Sequence, residues 1–407
     1  MSRTCYCLNC ITPPHILHKL LESSDKDIRQ AALNTLVTTA RLRGERATRA
    51  SFAAAAPANG RRTVFDCQRS TQLSSAIVAR TEDGSPATDD SANRAFEGFG
   101  ATRQFYKEVL DRNSIDDRGM RLDGYVHRGV SFNNAFWDGR EMVFGDGDGR
   151  VFTDFTKSLD VIAHELTHGV TEHTAGLDYH NQSGALNESI SDVFGSLVKQ
   201  WSLHQTAAEA DWLIGVEVFT PGSEGDALRS MKAPGTAYDN ALLGKDPQPD
   251  HMSKLMLLPD TDEGDNGGVH INSGIPNRAF YLTATGIGGF AWEAPGHIWY
   301  ESVKASNPQT DFQEFADTTF AKAGQLYGGG GVEQQAVLSA WREVGIRISG
   351  ALTAGGAGRF RATPAGAGRE AEALAALSKQ IEALSAQVKA LTKDVGALKG
   401  KKLSVGV

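Results

Sequence analysis

Residues 160–200 read DVIAHELTHGVTEHTAGLDYHNQSGALNESISDVFGSLVKQ, two helical patterns in succession. His164 and His168 stand four apart, so a helix carries both imidazoles on one face, spaced to share one metal ion. Glu165 is rotated beside them, where a carboxylate can take a proton from a water at that ion without binding it. HExxH alone is a short motif, and two solvated or hydrogen-bonded histidines give the same string. In the second pattern Leu186, Ile190, Val193 and Leu197 form the buried stripe. That leaves Glu188 and Asp192 together on an adjoining face, with Glu188 a natural third ligand. Two neutral imidazoles and one carboxylate leave Zn²⁺ with net positive charge and an open position, the donor set of a catalytic rather than a structural site. Asp192 is better placed to orient a ligating histidine than to bind the ion.

Further along, DNGGVHINSGIPNRAFY contains Asp265 and His270. Glycines before a histidine allow close backbone approach, and the acid five residues earlier could hold the imidazole as a donor towards a developing oxyanion. A surface loop with an incidental histidine fits the same letters. No GxSxG elbow is present, which argues against a serine hydrolase.

Outward from this centre, composition divides the 407 residues. From Pro13 to about Arg49 the pattern is helical. Ile16, Leu17, Leu20 and Leu21 share one face, then Ile28, Ala32, Leu33, Leu36 and Ala40 follow the capping candidates Ser24 and Asp25. The tract RLRGERATR and the Ala-rich SFAAAAPANG mark a linker, with a boundary near residue 50. From about 60 to 155, short β-branched and aromatic runs alternate with EDG, DDRG and GDGDG, the signature of a mainly β layer. GDGDG reads as a tight turn, since it lacks the remaining ligands of an EF-hand. Helical periodicity takes over from Asp160. After about Gly350 a Gly/Ala-rich tether leads to Leu374, Leu377, Ile381, Leu384, Val388, Leu391, Val395 and Leu398, a heptad whose β-branched a and leucine d positions favour a parallel two-stranded coiled coil. A homodimer through residues 371–400 follows, the alternative being a helix docked on its own chain.

Charge and termini narrow the partners. The 41 Lys plus Arg against 49 Asp plus Glu give −8, which argues against nucleic acid or anionic lipid. No uncharged apolar run approaches the roughly 20 residues that cross a bilayer. The N-terminus MSRTCYCLNCITPPHILHKLLESSDKD has no apolar signal-peptide core, so the expected location is cytoplasmic as synthesised, with leaderless secretion open. Cys5, Cys7 and Cys10 crowd the first ten residues while Cys67 stands alone, unlike a disulfide framework.

With HELTH, AGLDY, NESISD, GDALRSM and GGVHINSGI in one order and spacing, the chain resembles the thermolysin family of zinc metallopeptidases, and more closely its protealysin-type branch, over roughly residues 100–349. The resemblance implies an α+β, two-lobed catalytic domain, with a β-rich N-terminal lobe (51–163), an α-helical C-terminal lobe (164–349) and zinc between them. A helical propeptide (1–50) precedes it; a linker (350–370) and a coiled coil (371–400) follow. Carried onto this sequence, His164, His168 and Glu188 are the implied zinc ligands and Glu165 the general base. Tyr179 and His270 are implied oxyanion donors, with Asp265 orienting His270; Asn187 and Asp192 resemble partners of the ligating histidines. NNAFW implies that Asn134 and the Ala135 backbone grip a peptide in β fashion, and Arg229 resembles the residue that binds a substrate carbonyl. Phe152, Phe155, Val161 and Leu228 correspond to the apolar pocket after the scissile bond, which implies a preference for large hydrophobic side chains there; as ordinary core residues the four would read the same.

Departures from the family carry as much information. Asp160 and Asp211 match its double calcium site, but Lys199, Leu213 and Val216 stand where acids belong. The site is expected to be empty, with the Lys199 ammonium near Asp160 and calcium dispensable; a weaker loop at Thr220 and Asp226 stays open. The first fifty residues resemble a protealysin-type propeptide through Pro13, Pro14 and Ile16 or Leu17, and so an intramolecular inhibitor. Self-cleavage in the linker, before Phe52, would suit the apolar pocket. The three cysteines leave three readings: a thiolate on the zinc, a redox-sensitive or separate metal-binding tag, or an incidental cluster. The expected function is a zinc-dependent neutral endopeptidase made as a latent precursor and acting on proteins or peptides. The alternative is a non-catalytic peptide-binding protein oligomerised by its coiled coil.

Overall fold

A computed structural model describes residues 9–49, 60–222 and 227–349. The linker up to residue 59, Cys5, Cys7, the bond before Phe52, Asp226, and the tether and coiled coil after 350 lie outside the described residues.

The N-terminal lobe is built on one six-stranded sheet. Its strands are β1 (Asn9–Cys10), β2 (Arg62–Asp66), β3 (Ile77–Thr81), β4 (Leu122–Val126), β5 (Ala135–Trp137) and β6 (Glu141–Phe144), in the spatial order β1-β5-β6-β4-β2-β3. The order is mixed: β2 and β6 flank β4 in parallel, whereas β3, β5 and β1 join antiparallel. The edge strand β1 comes from the segment expected as a helical propeptide, just before the helical pattern that starts at Pro13, with Asn9 opposite Trp137 and Cys10 opposite Phe136.

Helices α1 (Pro14–Leu20) and α2 (Lys26–Arg49) follow. Pro14 opens α1 in the first turn, where its missing N–H costs nothing. The Asp25 carboxylate accepts from the amide of Asp27 before α2, as its capping pattern suggests. The α2 stripe is corrected in one respect. Leu33 and Ala40 are exposed, and the buried face runs Ile28, Ala32, Thr35, Thr39 and Leu42.

The β-rich reading of the N-terminal lobe holds, and the stretch 60–155 adds one element that it left out. A 21-residue helix, α3 (Asp90–Leu110), crosses it, capped by the Asp89 side chain on the Ala92 amide and ended by Asp111 in the left-handed region. Ala92, Ala95, Phe96, Phe99, Thr102, Phe105 and Tyr106 form its buried face. GDGDG is a tight turn: Asp148 Oδ1 accepts from the amides of Arg150, Val151 and Phe152.

Two helices dominate the interior. From Asp160 to Thr171, α4 (Leu159–Glu172) is wholly buried, and α5 (Asn181–Leu203) lies against it. The boundary drawn at 163/164 falls inside α4. Gly195 permits the close approach, since a Cβ there would stand 2.6 Å from the Asp160 carbonyl oxygen and 3.3 Å from His164 Cβ. The C-terminal lobe continues with α6 (Asp265–Asn272), α7 (Gly274–Ile287), α8 (Ala294–Ala305), α9 (Phe312–Tyr327) and α10 (Val332–Glu343). Among the described residues no helix is long and apolar enough to cross a membrane.

Candidate active site

Successive turns of α4 bring His164 and His168 to one point, and α5 brings Glu188 to the same point. Their side chains are fully buried. The two Nε2 atoms lie 3.0 Å apart, and each lies near a Glu188 oxygen, at 3.6 Å for His164 and 3.3 Å for His168. Donors at about 2.0–2.2 Å from a tetrahedral zinc stand roughly 3.3 Å from one another, so these separations fit one ion. The hydrogen bonds behind the ring make the same point. His164 Nδ1 donates to Asp192 Oδ1 at 2.8 Å and His168 Nδ1 to Asn187 Oδ1 at 2.8 Å. With both Nδ1 protons so committed, the Nε2 lone pairs face each other and a carboxylate, which only a cation reconciles. Glu188 Oε2, buried without a hydrogen-bond partner, points the same way. Burial depresses the His164 pKa to about 4, keeping its imidazole neutral as a ligand must be.

Glu165 stands next to this cluster, fully buried, with Oε2 accepting from the Trp137 amide at 3.0 Å. Burial, with the Glu188 charge added, raises its pKa well above the usual carboxylate range. Tyr179 donates its hydroxyl proton to Glu188 Oε1 and lies 3.4 Å from His270 Nε2. Burial would depress the His270 pKa, but Asp265 and Glu188 outweigh it and lift the value to about 9. Asp265 holds that ring at two points, Oδ1 to Nδ1 at 2.6 Å and Oδ2 to the His270 amide at 2.9 Å. The grip depends on the left-handed turn Asp265-Asn266-Gly267-Gly268 that opens α6; a Cβ on Gly267 would strike the Asn181 side chain at 2.3 Å.

The residues implied to hold a substrate also converge, and residues 10–12 of the chain itself lie on them. The Ile11 amide donates to the Ala135 carbonyl at 3.2 Å and the Thr12 amide to Asn134 Oδ1 at 3.0 Å. Arg229 Nη1 donates to the Ile11 carbonyl at 3.1 Å, and His270 Nε2 to the Cys10 carbonyl at 2.8 Å. The thiolate-on-zinc reading is corrected for Cys10: the metal-type cluster among the described residues comprises His164, His168 and Glu188, and Cys10 turns its carbonyl to His270. Phe152, Phe155, Val161 and Leu228 are all fully buried, and Phe152 packs between Phe155 and Phe219 at ring distances of 5.7 and 5.1 Å.

Three contributors escaped the sequence reading. The Trp137 amide fixes Glu165, Asn277 Nδ2 donates to Asp192 Oδ2 at 2.8 Å, and Ser191 Oγ lies 3.0 Å from His168 Nδ1. Trp137 and Asn277 lie in NNAFW and SGIPN, segments already quoted for other residues, so proximity in sequence was the available signal.

Comparison with known proteins now decides the family. The model of the thermolysin metallopeptidase catalytic domain matches residues 36–172, and that of the thermolysin metallopeptidase alpha-helical domain matches residues 175–346. The chain belongs to the thermolysin family. Among thermolysin-family relatives, the extracellular metalloprotease of Pectobacterium carotovorum subsp. carotovorum is 46% identical over 342 residues, covering 83% of this chain and 96% of the relative. Protease PrtS of Photorhabdus sp. (strain Az29) is 44% identical over 347 residues, covering 83% and 92%. The solved precursor of protealysin, a metalloproteinase from Serratia proteamaculans, matches with a TM-score of 0.75 and 45% identity over 83% of this chain and 99% of that one.

This thermolysin-family chain is therefore a zinc-dependent metalloendopeptidase made as a precursor. A non-catalytic peptide-binding protein finds no support. The cytoplasmic location expected from the N-terminus is overturned, because the Pectobacterium relative is an extracellular enzyme.

Proposed function

We propose that His164, His168 and Glu188 hold the zinc and that Glu165 is the general base of peptide hydrolysis, in an enzyme that works outside the cell. Zinc, when bound there, supplies the Lewis acid that polarises the scissile carbonyl and acidifies a water. Glu165 takes the proton of the attacking water and passes it to the leaving nitrogen. Tyr179 and His270 donate to the oxygen that becomes negative, and Asp265 keeps His270 turned for that purpose. Asn134, the Ala135 carbonyl and Arg229 hold the chain after the scissile bond extended. Phe152, Phe155, Val161 and Leu228 form the apolar surroundings in which a large hydrophobic side chain is accommodated. Asn187 and Asp192 fix the two imidazoles.

The observation that carries this reading is the segment at residues 10–12, whose main chain engages Asn134, Ala135, Arg229 and His270 together. The same segment supports residues 1–50 as an intramolecular inhibitor. Calcium is dispensable on this reading, supported by Lys199 Nζ at 3.3 Å from Asp160 Oδ2 and 3.2 Å from Asp211 Oδ2. Thr220 is engaged otherwise, donating to the Arg150 carbonyl. Partners are proteins or peptides rather than nucleic acid or membrane, and residues 371–400 pair two copies.

The test is casein hydrolysis by the matured enzyme, with zinc counted per chain. Glu165→Ala should lose at least about 100-fold of the rate while keeping one zinc. Hydrolysis within a few-fold of wild type would overturn the assignment.

A further inference from the structure

The inhibitory segment does more than fill the cleft: it lies there in the direction of a substrate and offers one particular bond. Asn9 and Cys10 run antiparallel to β5, opposite Trp137 and Phe136. The next residue, Ile11, has its amide on the Ala135 carbonyl and its carbonyl on Arg229, and Thr12 has its amide on Asn134. Those contacts put Ile11 in the first position after a scissile bond. Its side chain has no exposed surface, as expected of the residue an apolar specificity pocket reads. The bond before it joins Cys10, whose carbonyl oxygen lies 2.8 Å from His270 Nε2, and that nitrogen is itself 3.4 Å from the Tyr179 hydroxyl and 3.6 Å from Glu188 Oε1. One implied oxyanion donor, His270, thus holds that carbonyl, and its own neighbours are the other implied donor, Tyr179, and the Glu188 carboxylate.

Resting on the peptidase reading above, we propose that the precursor cuts its own Cys10–Ile11 bond, in cis, so that residues 1–10 are removed by the site they obstruct. The oxygen of water bonds to the Cys10 carbonyl carbon, the C–N bond to Ile11 breaks, and both water protons end on the Ile11 nitrogen, the first carried there by Glu165 and the second given up by the new Cys10 carboxyl. The products are a Cys10 carboxylate and an Ile11 ammonium, with no change of oxidation state.

Everything after the bond is tied down. Pro13 and Pro14 fix the backbone on entry to α1, where Ile16, Leu17 and Leu20 are buried. Arg150 pairs with Asp25 at 2.9 Å and Asp27 at 2.7 Å at the start of α2. The leaving amine therefore stays beside the acyl group after cleavage, and the bond is cut slowly compared with that of a free peptide. Severing it also leaves Ile11 and Thr12 in place, so this cut by itself does not open the cleft.

The experiment follows intact masses of the zinc-loaded full chain and of any released propeptide over time, with Glu165→Ala in parallel. Species beginning at Ile11 should accumulate in wild type at a rate independent of protein concentration, and be absent from Glu165→Ala. A seating measurement that needs no turnover accompanies it. In the Glu165→Ala precursor, hydrogen exchange at the Ile11 and Thr12 amides should be at least about 100-fold slower than in an unstructured peptide. Ile11→Leu in that background should keep the protection and Ile11→Gly should lose most of it. An intact Cys10–Ile11 bond in every species, while the matured enzyme digests casein, overturns the self-cleavage and leaves the peptidase reading standing. Failure to digest either overturns both. Cleavage at a neighbouring bond, cleavage that speeds up with concentration, or unprotected amides would each defeat the proposed register in cis.

Discussion

Arg229 grips Asp192 with two nitrogens at once, Nε to Oδ2 and Nη2 to Oδ1, both at 2.8 Å. The same guanidinium donates to the Ile11 carbonyl, and the same carboxylate receives His164 Nδ1. In the proposed site, holding the peptide and orienting a zinc ligand thus share one buried ion pair. Truncating Arg229 would strand Asp192 in the interior without its countercharge. We expect Arg229→Ala, in a Glu165→Ala background that cannot digest itself, to lower the unfolding free energy by about 3–5 kcal/mol. Urea denaturation measures it, and a loss below about 1 kcal/mol would show the pair to be dispensable.

In the proposed site, Asp192 and Asn187 act on the metal through the imidazoles they hold. Asp192→Asn and Asn187→Ala should each weaken zinc binding by roughly 10–100-fold. Competition against a chromophoric chelator reads this directly. Unchanged affinity in both would mean that the ring orientations are set elsewhere.

Gly195 sits where α4 and α5 come closest. A valine there must push the Asp160 carbonyl and His164 apart, so Gly195→Val should cost about 1–3 kcal/mol or more and loosen zinc together with stability. Thermal unfolding with and without added zinc separates the two effects; a neutral substitution contradicts the packing described.

Lys199 stands among three acids, Asp160, Asp211 and Glu217, that would otherwise face one another. A chelator that removes calcium and spares zinc should leave the melting temperature unchanged. Lys199→Ala, which leaves the buried Asp160 without its cation, should lower stability by about 1.5–3 kcal/mol. If calcium raised the melting temperature of the wild type, a working calcium site would exist after all.

His127 lies between two carboxylates, Nδ1 at 2.7 Å from Asp146 and Nε2 at 2.9 Å from Asp89. Hydrogen bonding to Asp146 is the main cause that lifts its pKa from 6.5 to about 9, against the opposing effect of burial. A pKa raised by folding stabilises the native state fully below pH 6.5, and that contribution disappears as the pH rises through about 9. The stability gap between wild type and His127→Gln should therefore narrow over that window in urea titrations. A gap that stays constant would assign His127 a purely steric role.

The sequence by itself determined the parts that depend on local geometry. A helix repeats every 3.6 residues whatever surrounds it, so HELTH and NESISD announced His164, His168, Glu188 and Glu165 before any packing was known. The Asp25 cap and the GDGDG turn were legible for the same reason. Where side chains suit two environments, the letters misled. The aromatic runs of 60–155 suggested strands throughout, yet Phe96, Phe99, Phe105 and Tyr106 line the buried side of α3, because burial against the sheet outweighs the weak β preference of aromatic residues. Only the tertiary structure decided that Cys10 turns its carbonyl to His270, that the Trp137 amide steadies Glu165, and that residues 9–12 lie across the site. Each of these is a main-chain hydrogen bond between segments far apart in the chain. Every residue offers the same N–H and C=O, so no side-chain pattern can encode which of them will meet.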